Sequence, residues 1–488
     1  MSLVQTTRFR WRRGAGLVVA ATLVSTAVDL SAAADPLSDF FQPDVLRTRS
    51  ALAQRTPGLT DPLGRDCAEP TGALSLAAAI DLALCRNPTT RSAWAAAHQQ
   101  AAALGSAESA WLPNVTATGA ETRAYGDHAD ATGNVVSTPQ NTRDAALSLS
   151  WVLYDFGARD GHITSGRHLL DAAAATASSV SQQTVLNVVQ SYYGVVAAEA
   201  GLGAAKTTEA ADARSLEVAR SLREGGAGTR ADVLQAETAF DQAVLARVQA
   251  EAAAKSSRGT LSVTLGLPAD ETVTLAPEAV PAEAPILTAR MADLMAEAMR
   301  QRPDLAAALA QRDSAEANVT VARAAGRPSF SIAAGRDLID TTGIPHQNYS
   351  LVGVNVTVPI FTGFNVAYGV RQAQAVLEAS EANADQVRLG VSLGVWNAYY
   401  ALDSANQQLT VTLGLTKTAE ENEQVALGRY QAGVGTIVDV LTAQSAAALA
   451  RQTRVNAELS WEVARAQLAL ALGRLTGTEP LSTVEAMP

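Results

Sequence analysis

An internal duplication limits the folds open to this chain of 488 residues. Tyr192 recurs as Tyr399, 207 residues further on, and the glycine-rich turn that follows each tyrosine recurs at the same offset. Upstream, Pro113 recurs as Pro328 at an offset of 215. The chain is therefore one unit present twice, and the difference between the two offsets marks a loop of variable length after Pro113.

Each copy contains one very long segment without proline, at 158–222 and at 365–430. Both segments consist of alanine and other good helix formers, so each predicts a helix of about 65 residues that extends about 100 Å. Helices of this length are longer than those that a compact domain requires. Such long helices typically pack side by side, as in a coiled coil.

Apolar and polar residues alternate ahead of each long segment, at 145–154 and 352–360, and also at 115–125 and 329–334. Strands of about ten residues cross a bilayer at the tilt of a membrane barrel. Two hairpins cannot close a barrel alone. We therefore expect an α+β membrane protein in which three protomers give four strands each to a trimeric, twelve-stranded β-barrel, continued by a long α-helical barrel. A soluble helical bundle is the alternative, and it leaves the alternation unexplained.

The N-terminus has the features of a secretory signal peptide, because four arginines precede an apolar run at about 14–30 and small residues follow it. We expect cleavage between Ala34 and Asp35 and export of the unfolded chain. No cysteine follows this point directly, which predicts a mature protein without a lipid anchor. The net charge of −11 disfavours nucleic acid as a partner.

The chain has two cysteines, Cys67 and Cys85. In an oxidising compartment a disulfide is the default expectation, and two buried free thiols are the alternative. A zinc site is disfavoured, because no histidine lies near either cysteine in the sequence.

Two glycine turns separate the long helices, at 225–229 and 432–436. Their key residues are Gly226, Gly228 and Thr229 in the first turn and Gly433, Gly435 and Thr436 in the second. We expect glycine to end the first helix of each pair in the left-handed conformation and threonine to cap the next helix. Asp232 and Asp439 follow the threonines by three residues, as in a capping box. A role of these aspartates in gating is compatible with capping, and both remain open.

The residues that could carry chemistry do not form a recognisable catalytic set. The five histidines are scattered and fit no metal-ligand spacing, and the two GxG strings follow predicted helices, whereas a dinucleotide loop follows a strand. We therefore predict no catalytic residue, no cofactor and no metal. A passive duct, a surface-associated enzyme and an adhesin remain as classes, and the duct accounts for most of the pattern.

Three motifs carry a resemblance to a known family: SWVLYDFGAR at 150–159, VTVPIFTGFN at 356–365 and GTIVDVL at 435–441. They resemble the TolC-like outer-membrane factors over residues 74–474. The resemblance implies a homotrimer with a twelve-stranded barrel in outer-membrane lipid and a twelve-helix tunnel in the periplasm. It also implies a periplasmic adapter (membrane fusion protein) and an inner-membrane ABC transporter or proton-driven pump as partners.

The same resemblance assigns a tunnel gate to the helix tips. Asp439 matches an inward-facing acidic ring, and Asp232 and Tyr430 match residues that bond the resting tunnel shut. Gly435 and Thr442 depart from the pattern, because they stand where the family has a clamping arginine and a second ring aspartate. The resemblance thus implies a hydrogen bond from Tyr430 to Asp232 as the main latch and cation preference from Asp439.

The expected mature N-terminus without a lipid anchor and the LYDFGAR motif resemble protein-secretion members of the family, such as the exporter of adenylate cyclase toxin. We therefore expect a type I secretion duct, with drug or small-molecule efflux as the alternative.

These expectations divide the chain into ten segments, of which the short helices, the β-hairpin and the long helices occur in both copies of the repeat. They are a signal peptide at 1–34, an N-terminal periplasmic segment at 35–73, short helices at 74–112, a first β-hairpin at 113–155, long helices at 156–266, an equatorial linker at 267–290, short helices at 291–327, a second β-hairpin at 328–361, long helices at 362–474 and a tail at 475–488.

Overall fold

A computed structural model describes part of the chain. The described residues are 44, 47–56, 59, 61–63, 67, 72–129, 132–137, 139–271, 273–276 and 290–475. The chain from Leu46 onwards forms one unit, which contains every element named below. The expected signal peptide at 1–34 lies outside the described residues. So do much of 35–73, residues 277–289 of the linker and all of the tail except Leu475.

The elements follow one another in the order that the duplication predicts. The helices are α1 (Thr48–Arg55), α2 (Leu76–Arg86), α3 (Pro88–Glu108), α4 (Ala158–Glu224), α5 (Arg230–Thr264), α6 (Met291–Gln301), α7 (Pro303–Ala324), α8 (Asn365–Gln431) and α9 (Ile437–Leu472). The strands are β1 (Asn114–Ala124), β2 (His128–Ala129), β3 (Val135–Val136), β4 (Gln140–Tyr154), β5 (Ser329–Thr341) and β6 (Gln347–Thr357).

The two longest helices, α4 and α8, have 67 residues each, close to the length expected from the proline-free segments. Each follows a strand through a left-handed residue, Gly157 before α4 and Phe364 before α8. Within the described part of the chain, no helix combines the length and the apolar content needed to cross a membrane.

Four strands form one antiparallel sheet in the order β1-β4-β5-β6. Near the end of the sheet that adjoins the helices, the register aligns apolar residues in rows across all four strands. One row consists of Val115, Leu149, Ala334 and Val352. The adjacent row, whose side chains point to the other face, begins with Thr116 and Ser148. The sheet thus has one mainly apolar and one mainly polar face.

The strands differ in extent from the alternating segments. β4 begins at Gln140 rather than at residue 145, because backbone pairing with β1 continues beyond the apolar residues. β6 ends at Thr357 rather than at residue 360. Pro359 lacks the amide hydrogen that a further ladder bond requires, so the strand cannot continue through it.

Between the middle of the long helices and their glycine turns, which we place at the bottom, the helices pack in a row in the order α8-α9-α4-α5. Above the middle, α3 packs on α4, and α7 packs against both α4 and α8. The end of α5 meets the start of α3, where the Asn87 side-chain amide donates to the Thr264 carbonyl at 2.8 Å. Gly266 fits this junction with φ of +80°, and a Cβ atom there would lie 2.8 Å from the Arg86 carbonyl carbon. Gly473 occupies the matching junction of the second copy.

The largest apolar clusters surround these junctions. Tyr192 and Trp461 are fully buried in them, and Tyr193 is 7% exposed. The tyrosines of the second copy differ. Tyr400 is 49% exposed, because it lies on the side of α8 that faces away from α9.

Candidate functional site

The candidate site is formed by the two turns at the tips of the long helices. Gly226 and Gly433 adopt φ of +77° and +74°, the left-handed conformation expected of glycine at a helix end. The amide of Ala227 donates back to the Leu222 carbonyl and that of Val434 to the Arg429 carbonyl, at 2.9 and 3.0 Å. Both turns are therefore closed by the same backbone bonds, and they leave Val434 68% exposed at the tip.

Gly435 lies where the family resemblance implies a clamping arginine. A Cβ atom at this position would lie 3.2 Å from the backbone nitrogen of Tyr430 and 3.2 Å from the Cβ of Arg429. Gly228 is similarly close to the preceding helix, at 3.0 Å from the Arg223 nitrogen. A larger residue would thus require both turns to shift by a few tenths of an ångström.

Complete capping boxes follow both turns. The Thr229 amide donates to the Asp232 carboxylate at 2.9 Å, and the Asp232 amide donates to the Thr229 hydroxyl at 3.2 Å. Thr436 and Asp439 repeat this exchange at 3.0 and 3.2 Å. The bond from the Thr436 amide lowers the pKa of the exposed Asp439 carboxyl, so Asp439 carries its charge at neutral pH.

The structure does not contain the Tyr430–Asp232 bond that the resemblance implies. Tyr430 is 5% exposed, and no hydrogen-bond partner of its hydroxyl occurs among the described residues. The Asp232 carboxylate instead accepts from Thr229 in the capping box. Burial, and then the nearby charge of Asp232, raise the pKa of Tyr430, so the two groups are close without being bonded.

An apolar cluster joins the two tips around Tyr430. Its buried members are Leu216, Ala219, Val233, Ala236, Tyr430, Ile437 and Val440. They come from α4, α5, α8 and α9, so all four long helices contribute to this contact. Within the described chain, the tips are therefore joined by apolar packing around the Tyr430 ring.

Sequence reasoning missed a buried polar cluster that lies between α4 of the first repeat and α9 of the second repeat, about two to three helical turns from the tips. The Gln444 amide of α9 donates to the Ser215 hydroxyl of α4 at 2.8 Å, and both residues are buried. Asp212, one turn from Ser215, is 7% exposed, and its Oδ1 has no hydrogen-bond partner among the described residues. Burial raises the pKa of Asp212 to about 6, and the charge of Glu423 adds to this effect.

Arg451 provides the positive charge of this region. Its guanidinium donates to Glu420 at 2.8 Å and to Glu423 at 2.6 Å, both on α8. No pattern in the sequence indicates this cluster, because contacts between helices far apart in the chain create the burial of Asp212.

Cys67 and Cys85 form a disulfide, with their Cα atoms 5.9 Å apart. The bond connects the N-terminal segment to α2. The Arg86 guanidinium adds a hydrogen bond of 3.1 Å to the Cys67 carbonyl. In the part of the chain that the structure describes, no cluster of three or more His, Cys, Asp and Glu side chains could hold a metal ion.

Comparison with known proteins identifies relatives over most of the chain. The family described as "Outer membrane efflux protein" matches residues 79–267 and 294–474. Protein CyaE of Bordetella pertussis is 31% identical over 425 residues, which are 85% of this chain and 86% of the relative. Outer membrane protein TolC of Vibrio cholerae is 26% identical over 389 residues, 77% of this chain and 85% of the relative. The solved structure of the outer-membrane channel OprN superposes with a TM-score of 0.72 at 21% identity, over 86% of this chain and 97% of that one.

Proposed function

Because the chain belongs to the outer membrane efflux protein family, we propose that it forms a channel-tunnel that serves as the passive exit duct of a tripartite export machine. Three protomers form the duct. Its barrel spans the outer membrane, and its helical tunnel lies in the periplasm. A periplasmic adapter connects the tunnel to an inner-membrane pump, which supplies the energy. A conduit of this kind needs no catalytic residue, and we assign none.

The observation that carries this proposal is a two-faced sheet continuous with two helices of about 100 Å. β1 and β6 form the edges of the sheet, and each pairs with a single strand. The apolar face suits lipid, and the polar face suits an aqueous lumen. Unpaired strand edges are costly in lipid, so strands of neighbouring protomers must pair with β1 and β6. Three protomers with four strands each give twelve strands.

The tip turns provide the gate and the docking surface for the adapter. Gly226, Gly228 and Thr229, with Gly433, Gly435 and Thr436, form the surface that the adapter contacts. Three Asp439 carboxylates form a ring that attracts cations. Asp232 supports the gate as a helix cap, and the buried Tyr430 ring joins the helices behind it.

We propose type I protein secretion as the export route, with an ABC transporter as the pump. The support is the resemblance to secretion members of the family at 150–159, together with the extent of the similarity to CyaE. Efflux of drugs or other small molecules with a proton-driven pump is the second candidate, and the description of the matching family favours it.

A bacterial host that lacks its own outer-membrane export channel tests both routes. The full chain is expressed either with an ABC transporter and its adapter or with a proton-driven pump and its adapter. Cargo protein in the medium is measured in the first strain, and accumulation of a fluorescent drug in the second. Secretion only in the first strain is expected. Restored efflux alone would favour the second candidate, and restoration of neither would contradict the duct.

A pair of variants links the tips to this activity. Val434→Asp adds a charge at the exposed tip and is expected to reduce export, because it disturbs the adapter contact. Asn383→Asp adds the same charge at an exposed position on α8, far from the tip, and is expected to leave export unchanged. Equal loss in both variants would contradict the proposed docking surface.

A further inference from the structure

Three buried side chains, Asp212, Ser215 and Gln444, join the two repeats above the tips, and we call them the repeat joint. The Gln444 amide of α9 donates to the Ser215 hydroxyl of α4 at 2.8 Å. In the row of helices, α4 and α9 are the neighbours that come from different repeats. The two tips can therefore separate only if the contact at this joint opens.

The joint contains two acceptor oxygens that lack a donor. Asp212 Oδ1 and Gln444 Oε1 are buried and have no hydrogen-bond partner among the described residues. The Ser215 hydroxyl cannot supply the missing hydrogen, because it donates to the Ala211 carbonyl at 3.3 Å. Buried polar atoms without a partner are rare in folded proteins, so this pair of oxygens needs an explanation.

The side chains that carry these oxygens meet on one face of α4. Asp212 and Ser215 are three residues apart, so they are neighbours on the helix surface. Gln444 reaches the same face through its bond to Ser215. An ionised Asp212 presents only acceptor oxygens to Gln444 Oε1, whereas a protonated carboxyl group has a hydrogen to donate.

The positive charges around the joint are already paired in the described part of the chain. On the α5 side, Arg247 forms an ion pair with Glu209 of α4 at 2.6 Å. On the α8 side, Arg451 of α9 forms ion pairs with Glu420 and Glu423 at 2.8 and 2.6 Å. The remaining nitrogen of Arg451, Nη1, makes no hydrogen bond to the joint. A carboxylate in the joint therefore has no counter-charge of its own.

We propose that Asp212 binds a proton and donates it in a hydrogen bond to Gln444 Oε1, so that the joint between the repeats tightens as the pH falls. One proton satisfies both unpartnered oxygens and removes the buried charge. At higher pH the proton is lost, two acceptors oppose each other, and the tips separate more easily. This proton switch lies within one protomer, so it depends neither on the proposed trimer nor on the export route.

The electrostatics of the joint set the pH range of the switch. Burial, and then the charge of Glu423, raise the pKa of Asp212 from 3.8 to about 6 in the closed joint. An open joint returns the carboxyl group to water and to its ordinary pKa. The proton therefore stabilises the closed joint fully below about pH 4, and this contribution is lost as the pH rises to about 6. The difference between the two pKa values corresponds to a change of up to roughly 100-fold in the opening equilibrium.

Hydrogen–deuterium exchange of the solubilised full chain between about pH 4 and pH 7 tests the switch. The measured quantity is the protection factor of the amides at 212–216 and 441–445, which corrects for the intrinsic effect of pH on exchange. Protection should fall by up to roughly 100-fold, mostly between pH 4 and pH 6. Asp212→Asn offers an amide hydrogen to Gln444 Oε1 at every pH, so protection should stay high throughout.

Asp241→Asn is the matched control, because it makes the same change at an exposed position on α5. It should keep the pH dependence of the wild type. Protection at the joint that does not change with pH in the wild type, or that changes as strongly in Asp212→Asn, would overturn the proposal.

Two further measurements identify the bond and its proton. Gln444→Met keeps a side chain of similar length and removes the acceptor, so Asp212→Asn should raise protection at pH 7 less in this background than in the wild type. Equal gains would mean that Asp212 responds to burial alone, and would overturn the bond. The pH profile should be unchanged with a chelator and with potassium in place of sodium. A profile that requires a metal cation would assign the two oxygens to that cation and overturn the proton.

Discussion

Replacing Tyr430 by phenylalanine and by alanine separates the two roles that this residue can have at the tips. The hydroxyl is buried without a hydrogen-bond partner among the described residues. A buried unsatisfied hydroxyl costs about 1 to 3 kcal/mol, so Tyr430→Phe should leave the tip as stable as before or more stable. Tyr430→Ala removes the ring from the apolar cluster, at a cost of about 3 to 5 kcal/mol.

Hydrogen–deuterium exchange of the amides at 216–222 and 425–430 measures this local stability in the solubilised complex. Because 1.4 kcal/mol corresponds to a factor of ten, alanine should lower protection by about 100-fold to a few thousand-fold, and phenylalanine should not lower it. Tyr400→Phe, far above the tip, is the control and should change nothing there. If Tyr430→Phe loosened the tip as much as Tyr430→Ala, the hydroxyl would be bonded and the packing account would be refuted.

Three further predictions concern charge and exposure. Because the pKa of Asp212 rises from 3.8 in the unfolded chain to about 6 in the folded chain, the resulting loss of stability is small near pH 4 and grows to about 3 kcal/mol above pH 6. Asp212→Asn should therefore raise thermal stability at pH 7 but not at pH 4, while Asp241→Asn on the exposed face of α5 should do neither. Asp439→Asn keeps a capping oxygen and removes the charge, so it should relieve block by multivalent cations in bilayer recordings. Asp232→Asn is the control and should have a smaller effect. Persistence of the block in Asp439→Asn would leave Asp439 as a helix cap only. An epitope inserted at Gly133, in the loop of variable length, should be reachable by antibody on intact cells without loss of export, and failure to reach it would invert the proposed topology.

The sequence predicted the long helices well, because one physical pattern determines them. Proline-free, alanine-rich segments at 158–222 and 365–430 became Ala158–Glu224 and Asn365–Gln431. Strand positions were also visible, but their ends were not. Backbone pairing carries β4 back to Gln140 through polar residues, where alternation gives no signal.

The site was predictable where it depends on local geometry and not where it depends on packing. Thr436 and Asp439 cap α9 as their three-residue spacing indicates. The environment of Tyr430 could not be derived from spacing, because residues of four helices surround it and Asp232 is engaged with Thr229. Asp212 was missed for the same reason, since its burial arises from contacts with residues more than 200 positions away.

Single-channel recording in planar bilayers tests the central claim that this chain forms a duct. The purified, detergent-solubilised protein is added to one side of the bilayer at neutral pH, with a sample denatured by boiling as the control. Stable, discrete conductance steps of uniform size that favour cations are expected, from a preparation whose mass is that of three protomers. A trimeric preparation that inserts into the bilayer and gives no discrete steps would contradict it.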